Sequence, residues 1–132
     1  MASDFLKAKE LFDYYGGSKY QMARDEMLYE YLDYGISKEI ESDWLEELFQ
    51  KKYNDLKADN CRSFINMSVF IQMHPKLLVD KIIMLEDVVR TNIGNIICRN
   101  EVMILLSSIL EQLRKENNFE YNHIILRLEK LV

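Results

Sequence analysis

Apolar positions recur three and four residues apart along most of this chain, which is the spacing of one face of an α-helix. Trp44, Leu48 and Phe49 follow this spacing in one segment, and Leu78, Ile82 and Leu85 follow it in another. Strand-like alternation of useful length is missing from the sequence. The pattern therefore predicts an all-α protein.

Short polar and glycine-containing breaks divide the pattern into helices. Ser18 has a glutamine three residues later, which is a capping-box spacing, and Ser37 is expected to cap the next helix. Pro75 suits the first turn of a helix, and the residue before it is steered out of the helical region. The predicted helices run over about 3–15, 18–35, 37–57, 60–73, from Pro75 through Val89, over 96–115, and through Ile124, Ile125, Leu128 and Leu131.

Short connections favour antiparallel packing of neighbouring helices. We expect one domain over 1–132, a bundle of about six or seven antiparallel helices. Acidic helices over about 3–57 would pack on an apolar helical core over about 60–132. A short α-solenoid-like stack of helical pairs is the alternative, although no motif repeats at a fixed period.

Composition restricts the class of partner. The net charge is −5 and the isoelectric point is near 5.1. Nucleic acid and anionic lipid both require clustered lysine and arginine, so neither is predicted as a partner. The most apolar region, 93–110, is interrupted by charged residues and is not expected to span a membrane.

The cysteines and the N-terminal residues indicate the cellular compartment of the protein. Cys61 and Cys98 are far apart and lack Cys-x-x-Cys spacing, which predicts two buried thiols in a reducing compartment. The first residues mix acid and base before any apolar stretch, so no signal peptide is expected. Both observations predict a cytoplasmic protein.

Negative charge is concentrated between Asp25 and Glu47. This window holds nine acidic residues and one base, Lys38, while the remainder of the chain sums to +3. Tyrosines are common in and before it. Acidic and aromatic side chains together are typical of a surface that captures a basic partner.

Helical projection of the window separates two acidic lines, one around Tyr29 and one through Glu39, Asp43 and Glu46 with Glu47 beside it. In the segment 18–35, Tyr29 is expected on the charged side with Asp25 and Asp33 one turn away, while Tyr20 and Tyr31 are expected on the core side. A second interpretation is that Tyr29 packs on a neighbouring helix with its hydroxyl in water. The predicted partner-binding residues are Asp25, Glu26, Tyr29, Asp33, Glu39, Asp43, Glu46 and Glu47.

Other chemistry has weak signals. Gly35-Ile36-Ser37 resembles the turn of a helix-turn-helix DNA reader, but the following helix would present acids to phosphates. Glu120-x-x-His123 has the spacing of half a di-iron site and lacks a second such pair. We therefore predict no metal, no cofactor and no enzymatic activity, and a hydrolytic or di-metal enzyme is the weakest class considered.

These observations predict a non-enzymatic module that captures a basic protein through an acidic, tyrosine-containing helical face. The most concrete version is an inhibitor or immunity-type protein that masks a toxin or nuclease. The alternative is a structural or regulatory protein that forms a homodimer through apolar helices, with an acidic face that is merely solvated.

Overall fold

A computed structural model of the protein describes residues 2–57 and 59–132. These residues form eight α-helices and one 3-10 turn and contain no β-strand; Lys57 and Asn60 form a single β-bridge. The helices are α1 (Ala2–Tyr14), α2 (Lys19–Arg24), α3 (Leu28–Asp33), α4 (Lys38–Asn54), α5 (Arg62–Met73), α6 (Pro75–Asn92), α7 (Arg99–Glu116) and α8 (Asn122–Glu129), with the 3-10 turn at Phe119–Tyr121. The all-α prediction is confirmed. Within the described ranges, no helix is both long and apolar enough to cross a bilayer.

Several predicted helix boundaries are confirmed. Ser18 accepts a hydrogen bond from the Gln21 amide at 3.2 Å, and Ser37 accepts one from the Ile40 amide at the same distance. Pro75 begins α6. Gly35 follows α3 with a φ of 64°, a left-handed conformation that glycine adopts at little cost.

The single helix predicted over 18–35 is wrong. It is split into α2 and α3, because the chain ends α2 with a Schellman motif. The Met27 amide donates to the Met22 carbonyl at 2.8 Å and the Glu26 amide donates to the Ala23 carbonyl at 3.1 Å. Glu26 occupies the left-handed position with a φ of 62°. Glycine usually marks this position, so the sequence carries no visible sign of the break.

The chain divides into two compact units, Met1–Lys51 and Lys52–Val132, and the division falls inside α4. The first, called unit 1, has its own hydrophobic core. Phe12, Tyr31 and Trp44 are buried in it, and the Phe12 and Trp44 rings meet edge to face at 5.4 Å between centroids. Ala8, Tyr15 and Met22 are also buried in this core, and partly buried leucine, isoleucine, methionine and tyrosine side chains pack against it.

The second unit, unit 2, is organised around α7, which packs against α5, α6 and α8. Polar contacts supplement its aliphatic core. The Ser68 and Ser108 hydroxyls are hydrogen-bonded to each other, and the Gln72 amide donates to Ser108 at 2.9 Å. Arg127 of α8 donates two hydrogen bonds, of 2.9 and 3.0 Å, to the largely buried Glu86 of α6. This bidentate pair joins α8 to α6 within unit 2.

The prediction of two free thiols is wrong. Cys61 and Cys98 form a disulfide with an S–S distance of 2.00 Å, which joins the residues preceding α5 and α7. Sequence spacing did not predict it, because 37 residues separate the two cysteines and only the packing of α5 on α7 brings them together.

Candidate functional site

All eight predicted partner-binding residues are exposed, and they lie in three consecutive segments of unit 1. We call these residues the acidic face. Asp25 and Glu26 lie in the link between α2 and α3, and Tyr29 and Asp33 lie on α3. The other four lie on α4 at the spacing predicted for one side of a helix, namely Glu39, Asp43, Glu46 and Glu47.

The exposure of the tyrosine side chains agrees with the prediction only in part. Tyr29 is 82% exposed, in agreement with its predicted place on the charged side, whereas Tyr31 is buried in the core of unit 1. The prediction that Tyr20 faces the core is wrong, since this side chain is 80% exposed. Because α2 ends before α3 begins, Asp25 is not one helical turn from Tyr29; only Asp33 keeps that relationship.

Some acids of the window already have partners within unit 1. Asp25 pairs with Arg24 at 3.2 Å, and a hydrogen bond with Asp25 adds to burial in raising the pKa of the Tyr15 hydroxyl. Glu47 pairs with Lys9 of α1 at 3.1 Å. The Lys9–Glu47 pair and the Tyr15–Asp25 hydrogen bond join different segments of unit 1. The two ion pairs reduce the charge that Asp25 and Glu47 offer to a partner.

Glu41 points toward the core side of α4 rather than toward solvent. Its Oε2 accepts a hydrogen bond of 2.5 Å from the Tyr31 hydroxyl, and its Oε1 pairs with Lys19 at 3.2 Å. Glu41, one of the nine acids of the window, therefore has a structural role, because it links α4 to α2 and α3.

Four acids of the acidic face are left without an ion pair from any basic side chain that the structure describes. They are Glu26, Asp33, Glu39 and Asp43. All four are exposed, and one of them, Glu26, is held in the left-handed conformation, which costs about 1–2 kcal/mol for a residue with a Cβ. Unpaired carboxylates create a negative potential that attracts a cationic partner.

A cleft of about 320 Å³ opens next to this surface, between the first turn of α1 and the turn that follows α3. Two carboxylate residues, Asp4 and Asp33, line it together with the aromatic residues Phe5 and Tyr34. Gly35, Ile36 and Ile40 complete the lining. Phe5 is held in place by an edge-to-face contact with Trp44 at 5.2 Å.

Tyr34 also lines a second hollow of about 320 Å³, together with Lys7, Glu10, Leu11, Tyr14 and Glu30. The Tyr34 hydroxyl donates to Glu30 at 3.2 Å. Burial, the Glu30 hydrogen bond and the charges of Glu30 and Asp4 together raise the pKa of Tyr34. Glu30 of α3 and Asp4 of α1 therefore both raise the pKa of the Tyr34 hydroxyl.

Asp4 and Phe5 were missed by sequence reasoning. An acid in the first turn of a helix has an ordinary explanation in the helix dipole, so Asp4 gave no separate signal. Only the packing of α1 beside the end of α3 brings it to the same cleft as Asp33.

No group of three or more histidine, cysteine, aspartate or glutamate side chains that could hold a metal ion is found in the described part of the chain. Comparison with family models, with curated proteins and with solved structures finds no match to this chain.

Proposed function

We propose that this protein is a non-enzymatic binding module that captures a basic protein partner through the acidic face. One observation carries the proposal. Glu26, Asp33, Glu39 and Asp43 are exposed, and no basic side chain that the structure describes pairs with them. A face that only kept the chain soluble would ordinarily mix charges of both signs.

Tyr29 supplies the second element of such an interface. Aromatic residues are enriched among the residues that contribute most to protein–protein binding, because one rigid ring buries a large area at low entropic cost. Tyr29 is exposed and lies one turn from Asp33 on α3. In the proposed complex the carboxylates accelerate encounter, and burial of Tyr29 slows dissociation.

The most concrete form of the proposal is an inhibitor or immunity-type protein that masks a toxin or nuclease. The active sites of nucleases must attract phosphate and are therefore commonly basic. An acidic module that covers such a site excludes the substrate by charge as well as by shape.

The test compares partner capture by the wild-type protein with capture by a variant in which three acids of α4 become neutral. The variant carries Glu39→Gln, Asp43→Asn and Glu46→Gln. We expect capture to weaken by about tenfold or more, because each lost ionic contact contributes about 1 kcal/mol or less when exposed and several act together. Wild-type capture should also weaken as salt rises.

A matched control neutralises three exposed acids of unit 2 with Asp80→Asn, Asp87→Asn and Glu116→Gln. It changes the net charge by the same amount and should capture the partner as the wild type does. Equal capture by all three proteins, or capture that does not respond to salt, would contradict the proposal.

A homodimer is the second candidate, and one observation favours it. Ile83, Ile96 and Ile97 of unit 2 are exposed by 75%, 91% and 79%, respectively. Exposed apolar side chains favour self-association, and such contacts hold or strengthen as salt rises. Sedimentation at two salt concentrations separates the candidates, since a dimer formed in this way persists in high salt and is indifferent to the changes in α4.

A cytoplasmic location is part of the prediction from sequence. The Cys61–Cys98 disulfide opposes it, because disulfides persist mainly in oxidising compartments. Alkylation in denaturant of protein purified from its native cells, before and after reduction, followed by mass measurement, decides between them, because the buried Cys98 is then accessible. Two alkylated cysteines before reduction support the cytoplasm, and none supports an oxidising compartment.

A further inference from the structure

The cleft between α1 and the end of α3 combines negative charge with aromatic surface. Asp4 and Asp33 come from different helices, and Phe5 and Tyr34 contribute the rings. The described residues that line it include two carboxylates and no basic side chain. A cationic group that entered would meet complementary charge and apolar contact together.

The walls of the cleft are fixed by contacts outside it. Phe5 packs edge to face on the buried Trp44, which also contacts Phe12, and Tyr34 is held by its hydrogen bond to Glu30. The left-handed Gly35 turns the chain so that Ile36 reaches the cleft. A site whose rings are already held loses little entropy when it is filled.

We propose that this cleft accepts an arginine side chain of the basic partner. This inference rests on the proposed function and adds the chemistry of the residue that the partner inserts. The guanidinium group pairs with Asp33 and Asp4, and its flat face lies against the rings of Phe5 and Tyr34.

Arginine fits this combination better than lysine does. Its planar guanidinium stacks on aromatic rings, is weakly hydrated and presents several donors to carboxylates in one plane. A lysine ammonium is a compact, strongly hydrated charge, and it gains less from the two rings. The cleft volume of about 320 Å³ accommodates one such side chain.

The probe for the test is a blocked tripeptide, acetyl-Gly-Arg-Gly-amide, titrated into the full chain while the amide signals of Gly35 and Ile36 are followed by NMR. The matched ligand contains citrulline in place of arginine, which keeps the shape and removes the charge. We expect roughly millimolar binding of the arginine peptide and at least about tenfold weaker binding of the citrulline peptide.

The variant Asp4→Asn/Asp33→Asn should lose at least about tenfold in affinity for the arginine peptide. The control variant Asp80→Asn/Asp87→Asn removes two exposed carboxylates of unit 2 and should stay within about twofold of the wild type. Amide dispersion in the same spectra shows whether each variant is folded. Equal shifts with both peptides, shifts confined to the part of α4 that follows Ile40, or no shifts at all would contradict the proposed arginine site.

The two proposals fail separately. In one case Asp4→Asn/Asp33→Asn captures the protein partner with unchanged affinity, while capture by the triple variant of α4 is weakened. The proposed arginine site is then wrong and the proposed function stands. If the arginine peptide binds the cleft and partner capture is indifferent to salt and to the α4 changes, only the proposed function is lost.

Discussion

The Tyr31 hydroxyl donates a hydrogen bond of 2.5 Å to Glu41 Oε2 and so joins α3 to α4 beneath the acidic face. Tyr31 is buried, and burial together with the adjacent Glu41 carboxylate raises the pKa of its hydroxyl well above the ordinary value. The contact shows that acids of one short window have different roles, since Glu41 supports the fold while its neighbours on α4 face solvent.

Tyr31→Phe should lower the free energy of unfolding by about 1–2 kcal/mol, because a hydrogen bond to a charged group is lost and Glu41 keeps only Lys19. Urea unfolding followed by circular dichroism measures it. Tyr29→Phe serves as the control and should change stability by less than about 0.5 kcal/mol, because that side chain is exposed. Equal effects of both changes would show that the Tyr31–Glu41 bond does not stabilise unit 1.

Glu26→Gly should stabilise the protein by about 0.5–1 kcal/mol, because glycine adopts the left-handed conformation without the penalty of a Cβ. The gain is reduced by the greater freedom of glycine in the unfolded chain. Glu26→Ala removes the same carboxylate and retains the backbone strain, so it should not stabilise. Thermal unfolding of the two variants side by side separates backbone strain from charge.

The Glu86–Arg127 pair predicts a dependence of stability on pH. A hydrogen bond from Arg127 lowers the pKa of Glu86 below its ordinary value of 4.5 against the opposing effect of burial. A group whose pKa is lowered on folding stabilises the folded state above its unfolded pKa and loses that contribution as pH falls through the folded pKa. Glu86→Gln should therefore cost about 2 kcal/mol at pH 7 and progressively less below pH 4.5.

Urea unfolding at a series of pH values measures the difference between Glu86→Gln and the wild type. Glu111→Gln is the comparison, because Glu111 forms an exposed pair with Lys115 and should contribute less than about 0.5 kcal/mol. A Glu86→Gln effect that is constant from pH 7 to pH 3 would contradict the assigned role of the pair.

Reduction of the Cys61–Cys98 disulfide should destabilise the chain by about 3–4 kcal/mol, because the bond closes a long loop and restricts the unfolded state. Chemical unfolding with and without a reductant measures this difference. The double variant Cys61→Ala/Cys98→Ala should be insensitive to reductant, which isolates the effect of the bond. Identical unfolding of the wild-type protein with and without reductant would contradict the prediction that the disulfide stabilises the chain.

Local sequence signals predicted most helix ends correctly. Ser18, Ser37, Gly35 and Pro75 act within one or two turns of themselves, so their effect can be read without knowledge of the remaining chain. The end of α2 was missed because Glu26, and not a glycine, occupies the left-handed position. The residues on either side of this break, Met22 and Tyr31, are buried in the core of unit 1.

Residue exposure was predicted less well. Helical spacing placed Tyr29 outside and Tyr31 inside correctly, but it placed Tyr20 inside, where the structure leaves it in solvent. A helical projection shows which residues share a face of a helix, but it does not show how much of that face is covered by neighbouring helices. The short α2 buries only Met22 among its residues, so its remaining side chains stay outside.

The sequence by itself determined the all-α class, most boundaries between helices and the exposed acids of α4, because these follow from spacing and capping within a few residues. The tertiary structure alone decided that Glu41 is a structural contact, that Cys61 meets Cys98, and that Asp4 shares a cleft with Asp33. Each of these depends on two distant segments packing together, and that packing is set by the fit of many side chains in a common core rather than by any local pattern.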